Sequence, residues 1–373
     1  MLKYLLYISL ISECFLKSKV FYIKKISSKN VVKAFKQLNI TLEGKVGLKV
    51  HTGEIGGRFY LHPNFLQDIY DYTNGTYIEC NAAYTSGKRY TTELHQEVLD
   101  YNGWLDNNRR IQIMDEFPSE DFNLTIPNCN NISNNIVGGH LQSYNSCLVL
   151  AHFKGHAMGG FGGALKQLSI GFASRAGKAN IHSGGYTSDY IETWSHKAEQ
   201  DDFTGAMADA ASSIVNYFRN KGGQIAFINV MSNISIRCDC GAGAPDPKIR
   251  DLGILASLDP VAIDKAAYDL IVKEDTEGAH EWLNNSNKLL GTHTIMYAEQ
   301  LGIGSQDYEL IEVGGEEEED NEQKKSKTYL YVLIPIIVIV VLVLIVVGVF
   351  MIKKKNKEIN NGESLGVSLT KKD

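Results

Sequence analysis

Short apolar runs and amphipathic stretches alternate along most of this chain. Runs of strand length fall at 45–50, 76–80, 111–114, 147–152, 224–230 and 253–256. Between them, apolar residues recur at helical spacing in 30–37, 63–72, 92–101, 204–219, 260–272 and 292–301. Asp259-Pro260 is a strong helix start. The aspartate can accept from the first backbone amides, and proline at the first turn gives up a donor that has no partner there. Strands separated by helices need crossover connections, so the pattern predicts an α/β fold with a largely parallel sheet flanked by helices over residues 18–313. In such sheets chemistry collects in the loops beyond the strand ends.

Both ends of the chain break the pattern. Residues 329–352 carry no charge and are rich in Ile, Val and Leu. At about 1.5 Å per residue a helix of this length reaches about 36 Å, enough for a bilayer core of about 30 Å, so a single transmembrane helix is expected. Lys353, Lys354, Lys355 and Lys357 follow at once and favour a cytoplasmic tail at 353–373, although Lys324, Lys325 and Lys327 weaken the asymmetry. At the other end, Lys3 precedes a mostly apolar stretch at 4–12, and residues 1–17 read as a signal peptide. Glu13 and the lack of a clean small-residue cleavage site are atypical, and an extra first strand is the alternative. The resulting expectation is an extracellular or lumenal body at 18–313, an acidic then basic stalk at 314–328, one membrane span and a short tail. Sequons at Asn39, Asn74, Asn123, Asn131, Asn233 and Asn284 are compatible with that route. The formal charge of −6 gives no basic face for nucleic acid.

Candidate chemistry sits in four glycine-bearing loops after predicted strands, which suggests one shared pocket. The densest, 151–166, holds His152, Lys154, His156 and Lys166 among five glycines. Lys166 falls on the first turn of a helix, whose N-terminus would attract an anion such as a phosphate, with Gly162 and Gly163 giving the backbone room. Neither a phosphate-binding P-loop nor a dinucleotide fingerprint is present, and a glycine-rich structural turn is the alternative. Cys238-Asp-Cys240 could ligate a soft metal together with His182 or His51, form disulfides with Cys80, Cys129 or Cys147, or simply pack. His51 and Glu54 follow another strand as an acid/base pair or as mutual hydrogen-bond partners. The segment from Cys80 through Tyr84 to Lys88 and Arg89 repeats the theme.

The ordered set Lys49-Val-His-Thr-Gly-Glu54, Glu79-Cys-Asn81, His152-Phe-Lys-Gly-His156 through Lys166, Asn233-Ile to Cys240, and Gly253 to Pro260 resembles the domain-of-unknown-function 362 family over about 18–313. Many members of that family carry an inserted four-cysteine iron–sulfur segment. No such run follows His182 here, so an iron–sulfur cluster is not expected. The spacing His156-x9-Lys166-x15-His182 is also similar to the cofactor motif of nickel-pincer lactate racemases. That resemblance implies Lys166 as covalent attachment site for a nickel-pincer nucleotide, His182 as nickel ligand and His156 as acid/base. The racemases use a second histidine where Ser86-Gly-Lys88-Arg89 stands here, which tells against two-base racemisation. Two classes of function follow. One is an enzyme with a metal or nickel-pincer cofactor, performing redox or isomerase chemistry on a small molecule. The other is a non-enzymatic surface binding or adhesion protein that reuses the fold.

Overall fold

In the computed structural model, residues 17–239 and 241–314 are described, with 344, 347–349 and 351–354. Strands run in the order β1 (Ser18–Ile23), β2 (Val46–Lys49), β3 (Thr76–Glu79), β4 (Ile111–Ile113), β5 (Phe122–Thr125), β6 (Asn134–Val137), β7 (Ser146–His152), β8 (Lys154–His156), β9 (Gly160–Gly162), β10 (Ile225–Met231), β11 (Gly253–Ser257) and β12 (Tyr308–Glu312). Eight of them form the main sheet, ordered β12-β1-β11-β10-β7-β2-β3-β4. Only β11 runs against its neighbours, pairing antiparallel with both β1 and β10. The expected α/β class with a mostly parallel sheet is what the chain adopts.

Every residue of β2, β7, β10 and β11 is buried, because helices cover both faces. Side chains alternate between two cores with the period of the strand. Val149 and Phe227 pack on the side of helix Gln200–Asn220, and Leu148, Leu150 and Ile228 on the side of helix Ser28–Gln37. Asp259 caps helix Pro260–Val272 by accepting from Val261 and Ala262, as the sequence implies. Its second oxygen accepts from Ser18 Oγ and the Ser305 amide, which fastens the start of β1 to the end of the body. The edge strand β12 and its neighbour β1 escape sequence reading because their burial is broken by exposed positions.

The chain divides into two compact units, Met1–Gly315 and Glu316–Asp373. Within the second unit, residues 347–349 and 351–354 are helical. The expected signal peptide lies outside the described residues but for Lys17, as does nearly all of the stalk. The expected span at 329–352 and the tail fall largely outside them. Among the described residues no helix is long and apolar enough to cross a membrane.

Beyond β7 the chain forms the small β8–β9 hairpin and enters a helical turn at Ala164–Lys166. The packing of this turn corrects the expectation of an open anion site at the helix start. Buried Asp264 already accepts from the Ala164 and Leu165 amides, at 2.8 and 2.9 Å. Gly163 is required by that contact, since a Cβ there would lie 2.4 Å from Asp264 Oδ1. Gly162 serves Lys166 instead, its missing Cβ leaving 3.3 Å to Lys166 Cδ. Gly163→Ala therefore overpacks the turn and should cost about 2 kcal/mol in chemical denaturation, with a smaller loss for Gly162→Ala.

Candidate functional site

The carboxyl ends of β3, β2, β7 and β10 lie side by side, and the loops that follow them enclose a cavity of about 170 Å³. His51, Glu79, Arg89, His156, Lys166, Lys178, His182 and Cys238 line it, with Ala82, Ala83, Met158, Ile170 and Trp194 as its apolar surface. A chamber of about 40 Å³ adjoins it, with His51, Lys166 and Gln167 common to both and His152, Lys154, Gly162 and Gly163 on its far side. On the outside, Tyr84 and Cys238 are shared with an open mouth that also includes Glu54 and Lys88. Residues far apart in sequence thus converge, as a ligand site at the ends of parallel strands requires.

One wall is a chain of alternating buried charges. Lys49 Nζ donates to Glu79 Oε2 at 2.5 Å and to Gln167 Oε1 at 3.2 Å. Arg89 donates to Glu79 Oε1 at 3.1 Å and to Glu54 Oε1 at 3.0 Å. Burial pushes the Glu79 carboxyl up, but Lys49 and Arg89 outweigh it, and the group lies below its ordinary value. Glu54 also accepts from the Lys88 amide and the Tyr84 hydroxyl. It is a strut between two loops at the mouth and does not line the inner cavity. Lys178, which sequence reading passed over, reaches the cavity from helix Arg175–His182, its Nζ donating to the Ala173 carbonyl at 2.6 Å. Counting Lys49, Arg89, Lys166 and Lys178 against Glu54 and Glu79, four cations face two carboxylates in and behind the wall. The formal excess is 4 − 2 = +2, which suits an anion.

His156 and His182 present opposite tautomers to this cavity. His156 Nδ1 accepts from the Met158 and Gly159 amides at 3.2 and 3.0 Å, so in the neutral ring the proton is on Nε2. His182 Nδ1 faces the Lys178 carbonyl at 2.7 Å, which can only accept, so Nδ1 carries the proton and Nε2 keeps its lone pair. Trp194 and Phe203 hold the His182 ring, with centroids at 5.4 and 5.0 Å. Burial, and then the charge of Lys166, hold the His156 pKa well below its usual value. Burial also pushes His182 down to about 4. Both rings are neutral at physiological pH.

The remaining sequence candidates find other places. Lys154 is buried and ion-paired with Asp239. His51 Nδ1 accepts from the Gly53 amide, and its Nε2 lies 3.3 Å from Arg89 Nη2. Cys238 lines the cavity, whereas Cys240 lies outside the described residues. Cys80, Cys129 and Cys147 are free thiols, which corrects their suggested role as disulfide partners. Cys80 and Cys147 are buried in the sheet and its core. Among the described residues no three His, Cys, Asp or Glu side chains are grouped to hold a metal ion.

The fold and this cavity define an open α/β protein with a pocket at its strand ends. Residues 46–269, more than half of the chain, match the family described as domain of unknown function (DUF362). The chain belongs to the DUF362 family. No curated protein sequence matches it. Among solved structures, a Thermotoga maritima protein is similar at 12% identity and a TM-score of 0.38, over 73% of this chain and 58% of that one. The chain thus spans little more than half the length of that relative. The lactate racemase apoprotein of Thermoanaerobacterium thermosaccharolyticum is similar at 13% identity and a TM-score of 0.35, over 81% of this chain and 84% of that one. Both likenesses are distant.

The buried histidines make stability acid-sensitive. Burial depresses the pKa of His95 to about 3, and of His152 and His182 to about 4, from an unfolded value of 6.5. Between pH 6.5 and 4 the unfolded chain takes up protons that the folded one refuses, so stability falls as pH drops through that window. His95 bridges Thr52 Oγ1 and Asn81 Oδ1, both at 3.1 Å. His95→Phe should lose about 2 kcal/mol at pH 7 from those unpaired groups while flattening the acid limb, as urea midpoints at pH 7 and 5 would show.

Proposed function

We propose that the body is an enzyme that moves a proton at carbon in a small carboxylate-bearing substrate, an isomerase-type activity. The observation that carries this reading is the pair of neutral histidines with opposite tautomers in one cationic cavity. Lys178, which lines the cavity and pairs with no carboxylate of the wall, neutralises the bound carboxylate. His182 Nε2 offers a lone pair to take a proton from carbon, and the His156 Nε2–H donates a hydrogen bond to the oxygen on which charge develops. The apolar surface around Trp194, Met158 and Ile170 keeps the site poor in water, which strengthens each of these interactions.

The nickel-pincer nucleotide implied by the sequence motif fits this cavity poorly. Its volume of about 170 Å³ falls below the roughly 300 Å³ at which drug-sized ligand pockets begin. Asp264 holds the helix start that would have seated a phosphate. Arg89, in the place of the second histidine, is committed to Glu54 and Glu79. Of His156 and His182, only His182 keeps the tautomer of a metal ligand. The proposed chemistry therefore uses the chain's own residues.

The direct test is solvent-deuterium wash-in on the full chain, followed by proton NMR, at the carbon beside the carboxylate of small 2-hydroxy acids and at the carbon beyond the carbonyl of small 2-oxo acids. Wash-in should fall about a hundredfold in His182→Ala and in His156→Ala. In Lys178→Met, Kd for the acid should rise about tenfold, since a charge-assisted hydrogen bond contributes about 1.5 kcal/mol. A chain that binds no acid, or binds one without exchange at carbon, contradicts the reading.

We also propose that the body faces the lumen or the outside, tethered by one span. The sequon residues Asn39, Asn74, Asn123, Asn233 and Asn284 are exposed, which supports glycan access, while Asn131 is half-buried and donates to Asp202. Peptide:N-glycosidase treatment of the native protein should shift its mass through the exposed sites and leave Asn131 unmodified. An unshifted protein would place the body on the other side.

A further inference from the structure

We propose that Lys166 captures the substrate covalently, as an imine with the carbonyl carbon of a small oxo acid. This rests on the anion-binding cavity described above and names the substrate class it serves.

The placement of Lys166 motivates the step. Its side chain lines both the main cavity and the small chamber, so it stands at their junction. The turn that carries it is pinned by Asp264 through the Ala164 and Leu165 amides. Asn229 Nδ2 in turn donates to Asp264 at 2.7 Å. Every member of that anchor is buried. Gly162 gives the lysine stem its passage, since a Cβ would come within 3.3 Å of Cδ. A lysine held this firmly beside a cavity of a few heavy atoms' size is a positioned nucleophile rather than a surface cation. Around it stand the other parts that imine formation needs. Lys178 takes the carboxylate, the His156 Nε2–H meets the carbonyl oxygen, and the small chamber has room for the water released.

The step balances without a further reactant. The Lys166 ammonium first releases one proton to solvent; the lone pair of the resulting amine forms a bond to the carbonyl carbon, and the C=O π pair moves to oxygen. Both amine protons pass to that oxygen, which leaves as water while the nitrogen pair closes the C=N bond. The imine then withdraws electrons from the adjacent carbon, whose C–H becomes acidic. Hydrolysis with one water regenerates the lysine and the oxo acid.

The test is reductive trapping on the full chain. Glyoxylate or pyruvate is added with sodium cyanoborohydride, and modified lysines are mapped by peptide mass spectrometry. Neutral propanal is the control for the carboxylate requirement, and binding of each acid is followed separately by calorimetry. The expected result is one carboxymethyl or carboxyethyl group on Lys166, at least tenfold more than on any other lysine. It should be weak with propanal and absent from Lys166→Arg, which should still bind the acid. Binding without a Lys166 adduct overturns the imine and leaves the anion-binding reading standing. Adducts spread over the exposed lysines also overturn it. Absence of binding removes both.

Discussion

The site depends on the buried ion chain from Lys49 through Glu79 and Arg89 to Glu54. Lys49 and Glu79 terminate neighbouring parallel strands, while Arg89 and Glu54 belong to the two loops that follow those strands. Removing any one member would strand a charge away from water, which is far more destabilising than the intact pair is stabilising. The chain is therefore retained as a unit and fixes how the 50–58 and 80–89 loops meet. The chain itself is neutral, so Lys166 and Lys178 supply the positive charge on which the proposed anion binding rests.

Against that fixed wall, backbone groups set the chemistry of the two histidines. A pair of amides decides the tautomer of His156, and a single carbonyl decides that of His182. Depressed pKa values keep both rings uncharged, so the tautomers persist across the physiological range. Asp264 performs a related task for Lys166. Burial pushes its pKa up to about 6, yet it stays the acceptor for the amides ahead of that lysine. His156, His182 and the turn that carries Lys166 are each positioned by main-chain contacts, which are less easily lost than contacts between flexible side chains.

Much of this was legible in the sequence. Strands β2, β3, β7 and β10 read as short, largely apolar runs because both faces are covered, with Lys49 and Glu79 at the ends of two of them, and Asp259-Pro260 marks a helix start without help from tertiary structure. That His156 and Lys166 would line a pocket was legible from their place in a glycine-rich loop after a strand, and His182 was joined to them only through the resemblance to the racemase motif. Lys178 was hidden, since a lysine in a short amphipathic helix reads as a solvated position until the packing of that helix is known. Glu54 was misplaced for the converse reason. Its spacing from His51 says nothing of Arg89, which reaches it from another loop. Asp264 was invisible because a carboxylate in an apolar helix can meet amides a hundred residues earlier only through the fold.

The central claim is that His156 and His182 are neutral and of opposite tautomer in one cavity. Nitrogen-15 NMR of the histidine rings in the full chain at pH 7 tests it most directly. The expected pattern is a protonated Nε2 with a bare Nδ1 for His156, and a protonated Nδ1 with a bare Nε2 for His182. Matching tautomers, or an imidazolium pattern in either ring, would contradict it.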